Sequence, residues 1–206
     1  MARGQGREKI SRRLGVDLGF KGLRAARGKG ALARRPFPPG QHGRKSRRTR
    51  SEYLRQLQEK QKARFFYGIR EGQLRRYFDQ ASSLQEPTGE ALVRLLESRL
   101  DNVLARLGLA ATRAQARQFI AHGHVLVDGE RVDIPSYSLD VGEELRIRPG
   151  SRIQPLVEEA LDLAAEVPPW LELDRERSAG RVTRRPERSE VHAPFDETQI
   201  IEFYSR

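Results

Sequence analysis

The sequence predicts an α+β protein, and three stretches carry that prediction. Between Gly89 and Gly108, Leu92, Leu95, Leu96, Leu100, Val103, Leu104 and Leu107 recur at helical spacing. Thr112–Ala121 reads as a capped helix stopped by Gly123. Val125–Val127 and Arg131–Ile134 then flank Asp128-Gly129, the strongest short-range hairpin signal. In EELRIR, Leu145 and Ile147 alternate with charge, as on a strand with one wet face. Helices first and a small antiparallel sheet later make the class α+β.

The N-terminal quarter stands apart by charge. The 206 residues hold 39 Lys+Arg against 28 Asp+Glu, a net of +11, and residues 1–50 alone hold 16 against 2. That quarter carries more than the whole excess, which reads as a basic arm on a nearly neutral body and points to a polyanionic partner. No apolar periodicity is sustained in it, so extended or irregular chain is predicted unless a partner orders it. MARGQGREKI has no apolar core of a signal peptide, and no run approaches the ~18 apolar residues of a membrane span. With no cysteine there is no disulfide or thiolate metal site, and the expectation is a soluble intracellular protein.

Ser51 is an N-cap for SEYLRQLQEKQKARFFYG, with Tyr53, Leu54, Leu57 and Phe65 on one face, Arg55, Lys60, Lys62 and Arg64 on another, and Gly68 as its stop. A second helix carries Leu74, Tyr77, Phe78 and Ala81, and Pro87-Thr88 restarts the chain. The long leucine pattern shows a possible break near Glu97. Thr112 and Gln115 form a capping box, with Ala116, Phe119 and Ile120 turned to a core. Pro155 can open a helix reaching Val167, with Leu156, Val157, Ala160, Leu161 and Ala164 inward. Short strands and loops follow, closed by the apolar IIEFY, which needs a core to bury it.

Catalytic patterns are thin. SRLDNVLARLG holds an RLD triplet resembling the aspartate motif of pseudouridine synthases, but the simpler reading pairs Arg99 with Asp101 across a helix end. No Ser or Cys nucleophile stands beside a plausible base. His122 and His124 lie near Asp128 without a clear third metal ligand, so no metal is assigned. Neither Walker nor GxGxxG spacing occurs, while GRKSRRTR is a dense cation cluster without an apolar face. Binding remains. Arg113 and Arg117 lie at i and i+4, opposite Phe119 and Ile120, facing out either to clamp phosphates or simply to be solvated.

LESRLDNVLARLGLAATRAQARQFIAHGHVLVDGERVDIPSY resembles the RNA-binding domain named after small-subunit ribosomal protein four. PPGQHG with its basic run, SEYLRQLQEKQKARFFYGI and IIEFYSR resemble that ribosomal family itself, in order, from Arg34 to Arg206. The segment where many members hold a zinc on four cysteines has none, which is similar to the zinc-free bacterial form. The resemblance implies a basic arm (1–50), a helical domain (51–95 plus 190–206) and an inserted helix-hairpin RNA-binding domain with a following mixed segment (96–189).

It further implies a structural protein of the 30S subunit and no enzyme, needing no cofactor, membrane or small-molecule substrate. Its partners would be 16S ribosomal RNA, bound early in assembly at a helical junction in the 5′ region, neighbouring proteins such as protein five, and mRNA at the channel entrance. A role in accuracy and repression of its own operon also belong to that family. The RNA surface implied comprises Arg34, Arg35, Gln41, His42, Arg44, Lys45, Arg47, Arg48 and Arg50 of the arm and Tyr53, Arg55, Lys60, Lys62 and Arg64 of the first helix. Arg99, Arg113, Arg117, His122 and His124 complete it, with Arg44 to Arg50 also touching mRNA. The alternatives are a stress protein or an RNA-modifying enzyme sharing the small domain.

Overall fold

A computed structural model of the chain describes residues 6–22, 28, 30–44, 51–162 and 166–206. They form two compact units. A helical unit comprises the chain to Leu92 with His192–Arg206, and a hairpin unit comprises Val93–Val191.

In the helical unit, α1 (Arg7–Leu14) and α2 (Ala31–Arg34) precede α3 (Glu52–Phe66), α4 (Glu71–Ser82), the start of α5 (Thr88–Glu97) and α9 (Glu197–Tyr204). The first two helices correct the expectation of an irregular arm. Ile10, Leu14 and Leu18 recur every fourth residue and are buried as a stripe against Phe65 and Phe66, with Val16 and Phe20 alongside. Gly15 closes α1 in the left-handed region, φ 73°, where L side chains are strained. The surrounding Arg and Gly dilute this stripe in the sequence, but three apolar positions suffice to seat one short helix.

Helix α3 starts at Ser51, whose hydroxyl accepts from the Leu54 amide at 3.3 Å. Its buried side chains are Gln56, Lys60 and Ala63, while Tyr53 is 52 % exposed. The apolar face read from Tyr53 and Leu57 is thus rotated, because α9 supplies polar partners: Gln56 Nε2 donates to Glu202 at 2.9 Å. The closing segment is this helix, with Asp196 as N-cap and Ile200 buried. Its Tyr204 hydroxyl donates to Glu71 at 2.9 Å.

In the hairpin unit the expected break lies between α5 and α6 (Leu100–Arg106). Arg99 there is extended, and the amides of Leu100 and Asp101 donate to the carbonyls of Tyr137 and Pro135 at 2.8 and 3.1 Å. Helix α7 (Arg113–Ala121) is capped by Thr112 accepting from the Gln115 amide at 3.1 Å. The Gln115 side chain reaches one residue further back than a standard box, accepting from Ala111 at 2.8 Å.

Gly123, φ 71°, releases the chain into β1 (Val125–Val127), β2 (Glu130–Arg131), β3 (Glu144–Ile147), β4 (Leu171–Asp174) and β5 (Ala179–Val182). Asp128 and Gly129 both have positive φ, 47° and 88°, the mark of a type I′ turn. The second strand is shorter than expected and begins at Glu130; Ile134 lies beyond it, exposed.

The sheet order is β2-β1-β3-β5-β4, antiparallel throughout. One face turns Val125, Val127, Leu145, Ile147, Leu171 and Val182 to a core with Leu100, Leu104, Leu107, Phe119, Ile120 and Trp170. Gly180 permits the close approach, since a Cβ there would sit 2.5 Å from a Leu107 methyl. Helix α8 (Gln154–Asp162) buries Val157, Ala160 and Leu161. It stops short of Val167, Ala164 lies outside the described residues, and Leu156, expected inside, is exposed.

Candidate nucleic-acid interface

In the helical unit the PPGQHG turn folds tightly. Gly40 is at φ 106°, the Gly43 amide donates to Gly40 at 3.2 Å, and a Cβ on Gly43 would lie 2.0 Å from the Pro38 carbonyl oxygen. The turn brings the Arg44 guanidinium 4.9 Å from the Phe37 ring centroid, and Arg12 of α1 approaches the same ring at 5.2 Å. Arg12 Nε also donates to the Phe37 carbonyl at 3.1 Å. Two guanidiniums held on one ring are ordered before any anion arrives, which lowers the ordering cost of a contact. Arg34, Arg35, Gln41, His42 and Arg44 are all exposed. Lys45, Arg47, Arg48 and Arg50 lie outside the described residues.

Of the first-helix set, Tyr53 and Arg55 are exposed, Arg64 lies half-buried over the Phe65 ring at 4.3 Å, and Lys62 pairs with Glu59 at 2.6 Å. Lys60 is a correction. It is 6 % exposed, its ammonium sits 2.7 Å from Glu71 and 4.2 Å from the Phe203 ring centroid, and it faces the unit's interior. Burial of its aliphatic stem against α9 decides this, because Glu71 supplies the counter-charge the burial requires. Lys60→Met is therefore expected to keep RNA affinity within about twofold and to change stability by less than about 1 kcal/mol. Glu71, with a 42 % exposed side chain, retains water and the Tyr204 hydroxyl. A tenfold loss of affinity in filter binding, with an unmoved urea midpoint, would return Lys60 to the interface.

The arginines of the hairpin unit are also held differently from the outward orientation expected. Asp101, 1 % exposed, accepts from Arg99 Nε and Nη2 at 3.0 and 2.8 Å. Its Oδ2 also accepts from Arg117 Nε at 3.1 Å and from Arg117 Nη2. Next to it, buried Glu97 takes Arg106 bidentately at 2.9 and 2.8 Å and Asn102 Nδ2 at 2.7 Å. Asn102 Oδ1 in turn accepts from Arg113 Nε at 2.6 Å.

Arg99, 2 % exposed, is thus a structural cation, and the pairing reading of the RLD triplet is the observed one. Arg113 and Arg117 are half-buried and anchored to the first turn of α6, where Asp101 also faces the positive end of the helix. One charged and one neutral acceptor turn them inward, Asp101 for Arg117 and the Asn102 amide oxygen for Arg113.

Three exposed cations of this unit, Arg131, Arg146 and Arg148, lie on the outer sheet face. Paired residues share a face, so the row Arg131–Leu126–Arg146 projects away from the core formed by Val125 and Val127. The Arg148 amide donates to the His124 carbonyl at 2.8 Å, extending the ladder and placing His124 and Arg148 two residues further along the same face. His122 is exposed, its ring centroid 6.3 Å from that of His124. Arg131, Arg146 and Arg148 were not selected from the sequence; the alternation in EELRIR was the signal that could have found two of them.

Among the described residues no group of three or more His, Cys, Asp or Glu could hold a metal ion, and no helix is long and apolar enough to cross a membrane. A cationic helical unit and, in the same chain, a helix-hairpin unit with an arginine-bearing sheet face define an RNA-binding protein. Residues 4–97 match the family model described as the ribosomal protein S4/S9 N-terminal domain, and residues 98–145 match the S4 domain. The chain belongs to the ribosomal protein S4 family, RNA-binding proteins of the small subunit that act in translation. The junction of the two matches falls at the break between α5 and α6.

Proposed function

We propose that this protein is a primary binder of 16S ribosomal RNA that nucleates assembly of the small-subunit body in the cytoplasmic ribosome, as a structural component and not an enzyme. Its place beside protein five and the mRNA entrance, with a part in accuracy and in repression of its own operon, belongs to the same reading. The observation that carries it is the ordered cation surface of the helical unit, where Arg12 and Arg44 share the Phe37 ring beside exposed Arg34 and Arg35. The adjacency of the two family matches supports it. Arg113, Arg117, His122 and His124 remain in the proposed surface; Lys60 and Arg99 leave it.

A salt titration of binding to 16S 5′-region RNA tests this. Each phosphate neutralised contributes about 0.7–0.9 to the slope of log affinity against log salt. The triple variant Arg34→Gln, Arg35→Gln, Arg44→Gln is expected to flatten the slope by about 2 while leaving folding intact. Substitution is preferable to deleting residues 1–50, which would strip Ile10, Leu14 and Leu18 from their seat on Phe65 and Phe66. Equal affinity for any RNA of the same length would sink the ribosomal reading and leave a nonspecific polyanion tether.

A further inference from the structure

At one corner of the outer sheet face, two imidazoles and two guanidiniums meet. From the end of α7 comes His122, from the turn into β1 His124, from β2 Arg131, and from the end of β3 Arg148. Arg131 lies over Gly123 between the two histidines: a Cβ added there would stand 2.3 Å from its Nε. Among the described residues neither Arg131 nor Arg148 has a carboxylate partner, unlike Arg99, Arg106 and Arg117 in the same unit. Unopposed cations converging on one spot are unfavourable without an anion. Ser151, buried in the turn before α8, places its hydroxyl 2.9 Å from His124 Nδ1.

We propose that His122, His124, Arg131 and Arg148 form a site for one RNA backbone phosphate, and that His124 takes up a proton from solvent as the site fills. This rests on the RNA-binding reading above. Burial lowers the pKa of His124 below its usual 6.5, and the charges of Arg148, His122 and Arg131 lower it further. In the free protein the ring is therefore neutral near pH 7.

A phosphate between the guanidiniums reverses the local field and favours the imidazolium, raising the pKa of the bound form. The Ser151 hydroxyl fits both states, donating to a bare Nδ1 or accepting from Nδ1–H, which leaves Nε2–H for the phosphate. The sign follows. Affinity is weakest above the bound-state pKa, rises as pH falls through it, and levels off below the free-state pKa.

The chain has only four histidines, so the proton can be assigned by single variants. Calorimetric titration of the intact chain with 16S 5′-region RNA, in two buffers of different ionisation enthalpy, counts protons taken up. Uptake is expected near pH 6 and is small near pH 8, with affinity higher at the lower pH by a factor whose ceiling, reached only below the free-state pKa, is about tenfold for each unit between free and bound.

His124→Gln should abolish the uptake and flatten the pH dependence, whereas His192→Gln should change neither. Undiminished uptake in His124→Gln overturns the proposal. Uptake that is lost in His124→Gln but equal for unrelated RNA supports the phosphate site while removing the ribosomal specificity. Should His124→Gln disturb folding, the His124 ring resonances of the native chain are titrated with and without inorganic phosphate. An upward move of the titration midpoint supports the site, and none overturns it.

Discussion

Replacing Asp101 with alanine is expected to lower the stability of the hairpin unit by about 3–5 kcal/mol. The carboxylate satisfies Arg99 through two donors and Arg117 through two more. Arg117 has a 24 % exposed side chain and can turn into water, but Arg99 cannot. The large term is therefore the loss of the carboxylate facing the buried guanidinium of Arg99, more than the lost contact to Arg117. It follows that Arg99→Met combined with Asp101→Leu should be far less damaging than Asp101→Ala, since neither buried charge is left alone.

Urea unfolding followed by Trp170 emission reads this cleanly. Trp170 is the chain's only tryptophan and lies in the core of that unit. An Asp101→Ala midpoint within experimental error of the native chain would mean that Arg99 finds water, and the burial argument would fail.

That network marks where sequence reading stops. Helix α7 was legible down to its cap, because Thr112, Gln115 and Gly123 act through local hydrogen bonds and backbone freedom. The Asp128-Gly129 hairpin and the Leu145/Ile147 alternation were legible for the same reason: spacing alone sets which face is apolar. The direction of Arg113 and Arg117 was not legible. It depends on Asn102 and Asp101, residues 11 and 16 positions away, and helical spacing says only that the two arginines share a face.

Lys60 fails for the same physical reason. In EYLRQLQEKQKARFF it belongs to a basic face, and only the arrival of α9 from the far end of the chain buries this one position of it. Arg131, Arg146 and Arg148 show the converse. Their spacing was visible, but no local feature distinguishes an outward arginine that waits for a phosphate from one that is merely solvated.

The arm supplies the second large effect. Leu14→Ala is expected to loosen α1 from the helical unit by about 2 kcal/mol, the low end for a buried leucine because the cluster of Ile10, Leu14 and Leu18 is small. Amides of α1 would then exchange about 30-fold faster than in the native chain, each 1.4 kcal/mol being a factor of ten, while those of α4 and α9 are unaffected. Loosening reaches the RNA surface through Arg12. This residue belongs to α1, and both its hydrogen bond to the Phe37 carbonyl and its place on the Phe37 ring depend on that helix staying seated.

RNA affinity should therefore fall without any charge having been removed, and the salt slope should stay close to native, since the phosphate contacts re-form once the helix is re-seated at a cost. This pairing separates preorganisation from charge: Arg34→Gln, Arg35→Gln, Arg44→Gln lowers the slope, whereas Leu14→Ala lowers affinity at constant slope. Native α1 amides exchanging at the rate of unstructured chain, unchanged by Leu14→Ala, would restore the composition-based view of residues 1–50 as an irregular arm.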